Sequence, residues 1–375
     1  MPQNKIQNVA SIFVGDRYII VSCARVRPKG PEPTIFYDSR FDWRRNYTDV
    51  TDRDAFSSDF TAALSWLKDN HKDIQAITIG CCVSLRSSLT EELRSKDSRY
   101  GVIGRSSLHP KWEGFELYSE TRSMFPEIAK RIFVRADTSL GALGEYFWRL
   151  SSDTHHLSPL PYYKKATRES TEAYRKNLTL TYIKFSTEVN LGTVYNGRLL
   201  GGLNHPFAFM TRPQLYQSPD GRIDGFKGCS IHGNCISGLI SVGALRERLR
   251  EAGEDDELNN KDVGHWIWKI LAFYAAQLVF NVMAFSVPSL VILEGRTVRD
   301  FDNLGLPKSD LVNKVWNVVS HEFSLGKPEY PYIDSGFQFV QEAACPWPVL
   351  YGGLVFGAQN LNTDNLVPFR HRHEV

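Results

Sequence analysis

This 375-residue sequence contains few cysteines and has almost no excess of charge of one sign. The six cysteines are too few and too scattered for a disulfide scaffold, so they predict a reducing, cytoplasmic location. A formal net charge of +2 gives no reason to expect nucleic acid or an anionic membrane as a partner. Residues 1–5 lack the basic and apolar regions of a signal peptide. The chain therefore has the composition of an ordinary soluble globular protein.

One apolar stretch, residues 270–293, is about as long as a membrane span. It contains Gln277 and Asn281, and such polar side chains are costly in the middle of a span. Pro288 then precedes a β-branched run. A buried helix over residues 264–285, followed by a buried strand, explains this pattern better than a membrane helix. We therefore expect no membrane partner.

The order of elements at the start of the chain is that of an α/β protein. Residues 9–14 and 18–26 read as a β-hairpin around a Gly-Asp-Arg turn. Residues 54–71 carry apolar side chains at helical spacing, and residues 74–82 read as a buried strand. A strand pair, a helix and a strand in this order favour mixed α/β architecture.

Residues 181–239 contain an unusual sequence of motifs. Two β-prone runs joined by a loop are followed, after an Asn-Gly turn, by a Cys/His knuckle that opens a helix. The knuckle and several motifs elsewhere resemble the ROK family of sugar kinases, most closely the zinc-containing bacterial fructokinases. The motifs that carry the resemblance are Ala136-Asp137, Ala142-Leu143-Gly144-Glu145, Tyr195-Asn196-Gly197-Arg198-Leu199-Leu200, His205-Pro206 and Cys229-x-x-His232-Gly233-x-Cys235 with Gly238-Leu239.

The resemblance extends over nearly the whole chain and implies a two-lobed α/β fold of the actin-like ATPase, ribonuclease H-like type, with a cleft between the lobes. Residues 1–137 would form the N-terminal lobe, to which a C-terminal helix in residues 348–375 returns. Residues 138–347 would form the C-terminal lobe with the second phosphate loop and the knuckle. Many relatives are dimers, so a homodimer is a further expectation.

Asp137 falls at the position of the family's catalytic base, which accepts the proton of a sugar hydroxyl. A carboxylate at a strand end beside a cleft suits that role, because a base must first be within reach of its proton. The alternative is that Asp137 only caps the helix that follows it. The asparagine that usually lies two residues further on is Ser139 here.

Both phosphate loops depart from the family pattern. The first loop, at residues 11–15 ending in Gly15, has lost the family's aspartate and both of its phosphate-facing glycines, and the second loop carries Glu188 and Asn190 before its last glycine, Gly192. Side chains there block the backbone from closing on phosphate oxygens, and Glu188 repels a polyphosphate. In relatives a glycine-rich turn borders the nucleotide. Only Gly295, between its two neighbours, remains of that turn in this sequence. We therefore expect neither ATP nor Mg²⁺ to bind in the family manner.

The sugar-binding residues implied by the resemblance have also changed. Phe207, Phe209 and Met210 occupy the segment whose glutamate and histidine hold sugar hydroxyls in relatives, and Ser237 replaces a second glutamate. A site that pairs hydroxyls would leave them unpaired against phenylalanine, at about 1–3 kcal/mol for each group. The change predicts a small-molecule substrate more apolar than a sugar. The alternative is that the two phenylalanines simply fill the core.

The knuckle retains three of the four zinc ligands implied by the resemblance, Cys229, His232 and Cys235. Met210 replaces the fourth, and a thioether is a poor zinc ligand. His205 or a water molecule could complete the coordination. A zinc ion here would be structural, as in the relatives.

Three functions follow from these departures. The first is a non-kinase enzyme for cyclisation, isomerisation or dehydration, in which Asp137 is the acid or base with His205 or Glu188 as its partner. The second is a catalytically silent pseudokinase that acts as a binding or scaffold module. The third is an active fructokinase-like carbohydrate kinase. The loss of the phosphate loops favours the first two, and fold alone does not secure function.

Overall fold

The computed structural model describes residues 6–27, 34–36, 41–86, 99–105, 109–151, 178–200, 213–217, 221–229, 232–262, 264–286, 288–295, 309–319 and 340–361.

The first sheet is a mixed sheet with strand order β3-β2-β1-β5-β6 and with β4 also paired to β2. β1 and β2 form an antiparallel hairpin, while β5 lies parallel to β1 and β6 lies parallel to β5. The elements of this part are β1 (Gln7–Val14), β2 (Tyr18–Arg27), β3 (Thr34–Phe36), β4 (Trp43–Asn46), α1 (Arg53–Asn70), β5 (Ile74–Cys81), a 3-10 turn (Pro110–Trp112), α2 (Leu117–Met124), a second 3-10 segment (Pro126–Arg131) and β6 (Ile132–Ala136).

The second sheet repeats this plan, with strand order β11-β10-β7-β8-β9. β7 and β8 form an antiparallel hairpin, and β10 lies parallel to β7 and to β11. Its elements are β7 (Thr179–Phe185), β8 (Val189–Tyr195), β9 (Arg198–Leu199), α4 (Ile236–Ile240), α5 (Val242–Glu251), a 3-10 turn (Leu258–Asn260), α6 (Trp266–Ser286), β10 (Leu290–Glu294), α7 (Ser309–Val318) and β11 (Val340–Glu342).

The two sheets exchange helices. Helix α3 (Asp137–Ser151) follows the first sheet but packs on β7 and β8 of the second. Helix α8 (Pro348–Gln359) follows the second sheet but packs on β1, β2 and β5 of the first. The two helices also pack closely on each other, so each lobe is tied to the other along this contact.

Glycine makes the helix contact possible. A Cβ atom on Gly144 of α3 would lie 1.9 Å from the carbonyl oxygen of Pro348, and one on Gly352 of α8 would lie 1.8 Å from that of Leu140. Both separations are far below van der Waals contact, so the backbones approach each other too closely for any side chain at these two positions.

The expected elements at the start of the chain are present. The predicted hairpin corresponds to β1 and β2, and the predicted helix over residues 54–71 is α1. The apolar stretch forms α6, as a core helix would. Among the described residues, Trp266–Ala284 is the segment long and apolar enough to cross a membrane, and 67% of it is buried inside the protein.

We predict that Gly144→Ala destabilises the protein by more than about 2 kcal/mol, because the added methyl group forces α3 and α8 apart. Urea unfolding measures the change. The control is Gly243→Ala in α5, where an added Cβ meets nothing within 4 Å. That variant should match or slightly exceed the wild type in stability. Equal effects of the two substitutions would contradict the close helix contact.

Candidate active site

Asp137 lies where β6 ends and α3 begins, between the two sheets. It is 2% exposed, although aspartate is normally a surface residue. One carboxylate oxygen, Oδ1, accepts the N–H of Thr138 at 2.7 Å. The residue thus has the strand-end position expected of a base. An N-cap side chain accepts from an N–H two or three residues further on, so the bond to Thr138 does not test the capping alternative.

The other carboxylate oxygen of Asp137 is bound by a lysine from the second sheet. Lys184 on β7 donates a short hydrogen bond from Nζ to Oδ2 of Asp137. The ammonium also lies 5.0 Å from the centre of the Phe13 ring on β1. Only 9% of the lysine side chain and 3% of the aspartate side chain are exposed, so this ion pair is buried between the lobes.

Lys184 keeps its positive charge in this setting. Burial by itself lowers the pKa of the lysine, because the ammonium loses hydration. The negative charge of Asp137, with smaller contributions from Cys82 and Glu294, outweighs burial and holds the pKa of Lys184 above its ordinary value. Asp137 is therefore paired with an ammonium ion at neutral pH.

In the described part of the chain, the cavity that Lys184 lines is small. Tyr182, two residues before Lys184, donates from its hydroxyl to Oε2 of Glu294 at 2.6 Å. A cavity of about 20 Å³ lies among Phe13, Tyr182, Glu294 and Trp347. One water molecule fits in such a volume, whereas pockets for small molecules usually measure roughly 300–1,000 Å³.

The backbone donors of the loop between β7 and β8 are engaged within the protein. The N–H of Ser186 donates to the carbonyl of Glu188 at 3.2 Å, and the N–H of Val189 donates to the Ser237 hydroxyl at 3.0 Å. A phosphate-binding loop needs such groups pointing at phosphate oxygens. This loop instead closes on itself and on the first turn of α4.

Glycines lie at three of the predicted nucleotide-site positions, 15, 192 and 295, and each has a structural reason to be there. A Cβ atom on Gly192 would lie 2.3 Å from the carbonyl oxygen of Thr138, and one on Gly295 would lie 2.1 Å from that of Phe185. Gly295 also has a φ of +127°, which side chains disfavour. Gly15 closes the first hairpin by donating to the Tyr18 carbonyl at 2.9 Å. None of these contacts requires a nucleotide.

Two polar side chains from the second hairpin are buried close to the ion pair. Glu188 is 6% exposed and Asn190 is 3% exposed, and Oδ1 of Asn190 makes no hydrogen bond within the described part of the chain. Burial raises the pKa of the nearby Cys81 thiol to about 12, and the negative charges of Asp137 and Glu188 add to the increase. Both carboxylates therefore lie close enough to the C-terminal end of β5 to raise the pKa of Cys81.

A larger cavity, of about 100 Å³, has Glu188 in its wall. Ser84, Arg105, Thr187 and Ser237 are also in the lining. A buried carboxylate and an arginine in one cavity can hold a small polar ligand and exchange a proton with it.

The Cys/His knuckle lies at the same cavity, with Cys229 and His232 in its wall. The ligand atoms of these two residues and of Cys235 all lie within 4.8 Å of one another. Two backbone hydrogen bonds between Cys229 and Gly233 close the knuckle, and the N–H groups of His232 and Gly238 donate to its two sulfur atoms.

These three side chains fit a zinc ion in number, type and spacing. Cys229 and His232 would hold it from the cavity wall, and Cys235 from the N-terminal cap of α4. Burial raises the pKa of Cys235 to about 11, so a metal would displace the thiol proton on binding. A bound zinc ion would supply a structural cross-link or a Lewis acid.

The structure separates the predicted site residues into two groups. Asp137 and Ser139 begin α3 at the ion pair, and neither lines the 100 Å³ cavity. Glu188 and Ser237 line that cavity together with part of the knuckle. Of the two carboxylates proposed for acid–base chemistry, Glu188 lines this cavity and Asp137 does not.

His205, Phe207, Phe209 and Met210 lie outside the described residues. The apolar lining inferred from these residues, and the loss of the fourth zinc ligand, stay predictions.

Sequence reasoning missed Lys184 and Arg105. Lys184 is a charged residue in an otherwise buried strand, and such a residue signals an internal partner. Its partner, however, comes from the other sheet. Arg105 lies in a polar, irregular stretch with many similar residues, and no sequence signal distinguishes it.

Curated proteins similar in sequence are fructokinases. The chain is 26% identical over 149 residues to a fructokinase of Lactococcus lactis subsp. cremoris, which covers 40% of this chain and 48% of that protein. It is 31% identical over 119 residues to a putative fructokinase of Bacillus subtilis, covering 32% and 36%. These matches thus span less than half of either relative. No protein-family profile matches the chain.

Solved ROK structures match almost the whole chain. A ROK family protein from Streptococcus pneumoniae in complex with sucrose has a TM-score of 0.57 at 17% identity, covering 94% of this chain and 99% of that one. A ROK family glucokinase from Streptomyces griseus in complex with glucose and AMPPNP has a TM-score of 0.56 at 13% identity, covering 96% and 100%. The chain therefore has the two-lobed, actin-like α/β fold of the solved ROK structures and is similar in sequence to fructokinases.

Proposed function

We propose that this chain is a ROK homologue that has lost ATP-dependent phosphotransfer and acts as a non-kinase enzyme on a small molecule. The observation that carries this proposal is the buried ion pair between Asp137 and Lys184. A general base must offer a free lone pair within reach of a substrate hydroxyl. The oxygen of Asp137 that could do so is bound by the lysine ammonium, and the adjoining space holds about one water molecule.

The second phosphate loop supports the same conclusion. Its N–H groups at Ser186 and Val189 already have partners within the protein. Glu188 adds a negative charge where a polyphosphate would approach. A nucleotide would have to break these hydrogen bonds and separate Lys184 from Asp137 before it gained any contact.

Glu188 is the best placed residue for the acid–base role in the new chemistry. It is a buried carboxyl in the wall of the 100 Å³ cavity, which Asp137 does not line. Arg105 in the same wall can fix an anionic or carbonyl group of the substrate. In this assignment Asp137 and Lys184 hold the lobes together beside the site, and Asp137 is not the acid or base.

A second candidate function is a catalytically silent pseudokinase that binds a ligand or a partner. The closed ion pair and the modest cavity volumes favour it, because a filled cleft needs no substrate. The two candidates differ in whether any small molecule is turned over.

We predict that ATP with Mg²⁺ leaves the melting temperature unchanged, because the ion pair and the loop hydrogen bonds occupy the phosphate-binding position. A ligand at 100 times its Kd would add about 2.7 kcal/mol, which a thermal shift assay detects readily. An active ROK glucokinase serves as the positive control. A magnesium-dependent increase in melting temperature, or ADP release with a hexose, would favour the kinase reading instead.

We predict that Glu188→Gln removes turnover by at least about 100-fold, because proton transfer by a positioned side chain contributes on that scale. Wild-type and variant proteins are incubated with extract of the source cells, and consumed or formed metabolites are followed by untargeted mass spectrometry. Glu120→Gln, at an exposed position of α2, is the control and should behave as the wild type. If the wild type alters no metabolite, the binding-module function takes precedence.

A further inference from the structure

We infer that the cavity of about 100 Å³ binds a small α-amino acid as a zwitterion, with the carboxylate of the ligand at Arg105 and its ammonium group at Glu188. The inference rests on the proposed function, which assigns the chemistry to this cavity, and it adds the class of molecule that is bound. Its test measures binding without turnover, so the inference and the proposed function can fail separately.

The two charged side chains reach the cavity from different lobes. On the side of the first lobe, the N–H of Gly104 donates to the carbonyl of Ser84 at 2.7 Å, which holds Arg105 next to the loop that follows β5. On the side of the second lobe, the N–H of the residue after Glu188 donates to the Ser237 hydroxyl at 3.0 Å. A ligand that contacts both charges would therefore join the lobes.

The charges of the cavity wall are complementary to a zwitterion. The described part of the lining contains one arginine and one acidic residue, Arg105 and Glu188, whose charges cancel. A ligand with a single charge would satisfy one of them and leave the other without a counter-charge, which is costly where water is excluded. An amino acid satisfies both, so it suits this wall better than a hydroxy acid or a simple amine.

The two side chains also have the hydrogen-bonding groups that an amino acid needs. A guanidinium group presents a planar fork of donors that matches a carboxylate. Glu188 is 6% exposed, and a carboxylate has about four lone-pair sites. It can therefore accept from a ligand ammonium group while it keeps its contacts within the protein, and it can exchange a proton with that group.

The volume of the cavity limits the size of the amino acid. An apolar cavity of roughly 150 Å³ accepts benzene, so a cavity of 100 Å³ takes about four to six non-hydrogen atoms at similar packing. Glycine and alanine are of this size, whereas a hexose is much larger. Arg105 is exposed, so such a ligand can approach its guanidinium group from solvent.

Three probes of similar size test the inference on the full-length protein. Saturation-transfer NMR, with titration calorimetry, follows the binding of glycine, glycolate and ethanolamine. Glycolate lacks the ammonium group of glycine, and ethanolamine lacks its carboxylate. We expect glycine to bind saturably in the millimolar range and each analogue at least about 10-fold more weakly, because each loses one charge-assisted contact. No binding of glycine, or equal affinities for the three probes, would overturn the inference.

Variants of the two charged residues assign the contacts. Arg105→Gln should weaken glycine at least about 10-fold and remove its advantage over ethanolamine, because the carboxylate loses its partner. Glu188→Gln should remove the advantage of glycine over glycolate. The exposed residues Arg122 and Glu120 of α2 provide the matched controls, Arg122→Gln and Glu120→Gln, which should bind glycine as the wild type does.

The outcomes separate the inference from the proposed function. Arg105 is exposed, so its variant stays informative even if Glu188→Gln does not fold. Unchanged glycine affinity in Arg105→Gln would overturn the inference. Glycine binding by a protein that alters no metabolite would support the inference and contradict the proposed enzyme. Altered metabolites without glycine binding would do the reverse.

Discussion

The cleft of this protein depends on one contact, the buried ion pair between Asp137 and Lys184. Each member comes from a different sheet, and each would be costly to bury alone. Removing one partner of such a pair typically destabilises a protein by about 3–5 kcal/mol, because the other charge is left buried without compensation. The ammonium of Lys184, from one sheet, neutralises the buried carboxylate of Asp137, from the end of the other.

Glycines fix the backbone around this pair. Gly192 and Gly295 lie at points where two backbones meet, and Gly144 and Gly352 allow the exchanged helices to touch. The packing therefore needs these glycines whether or not a nucleotide binds, since fold alone does not fix function.

Much of the fold could be predicted from the sequence, because local patterns specify it. Alternating and helical apolar spacings indicated β1, β2 and α1, and polar residues in the apolar stretch indicated that α6 is a core helix. The candidate site was only partly predictable. Lys184 pairs with Asp137 only because the two sheets lie next to each other in the fold. A local sequence pattern carries no information about that arrangement. The family resemblance likewise directed attention to Asp137, whereas the cavity is lined by Glu188 and Arg105.

A double-mutant cycle on Asp137 and Lys184, followed by urea unfolding, tests the central claim most directly. We predict that Asp137→Asn and Lys184→Met each destabilise the protein by about 3–5 kcal/mol. The double variant should lose much less than their sum, with a coupling energy of at least about 2 kcal/mol between the two positions. Additive effects with a coupling energy near zero would contradict the account, because Asp137 would then be available as a base.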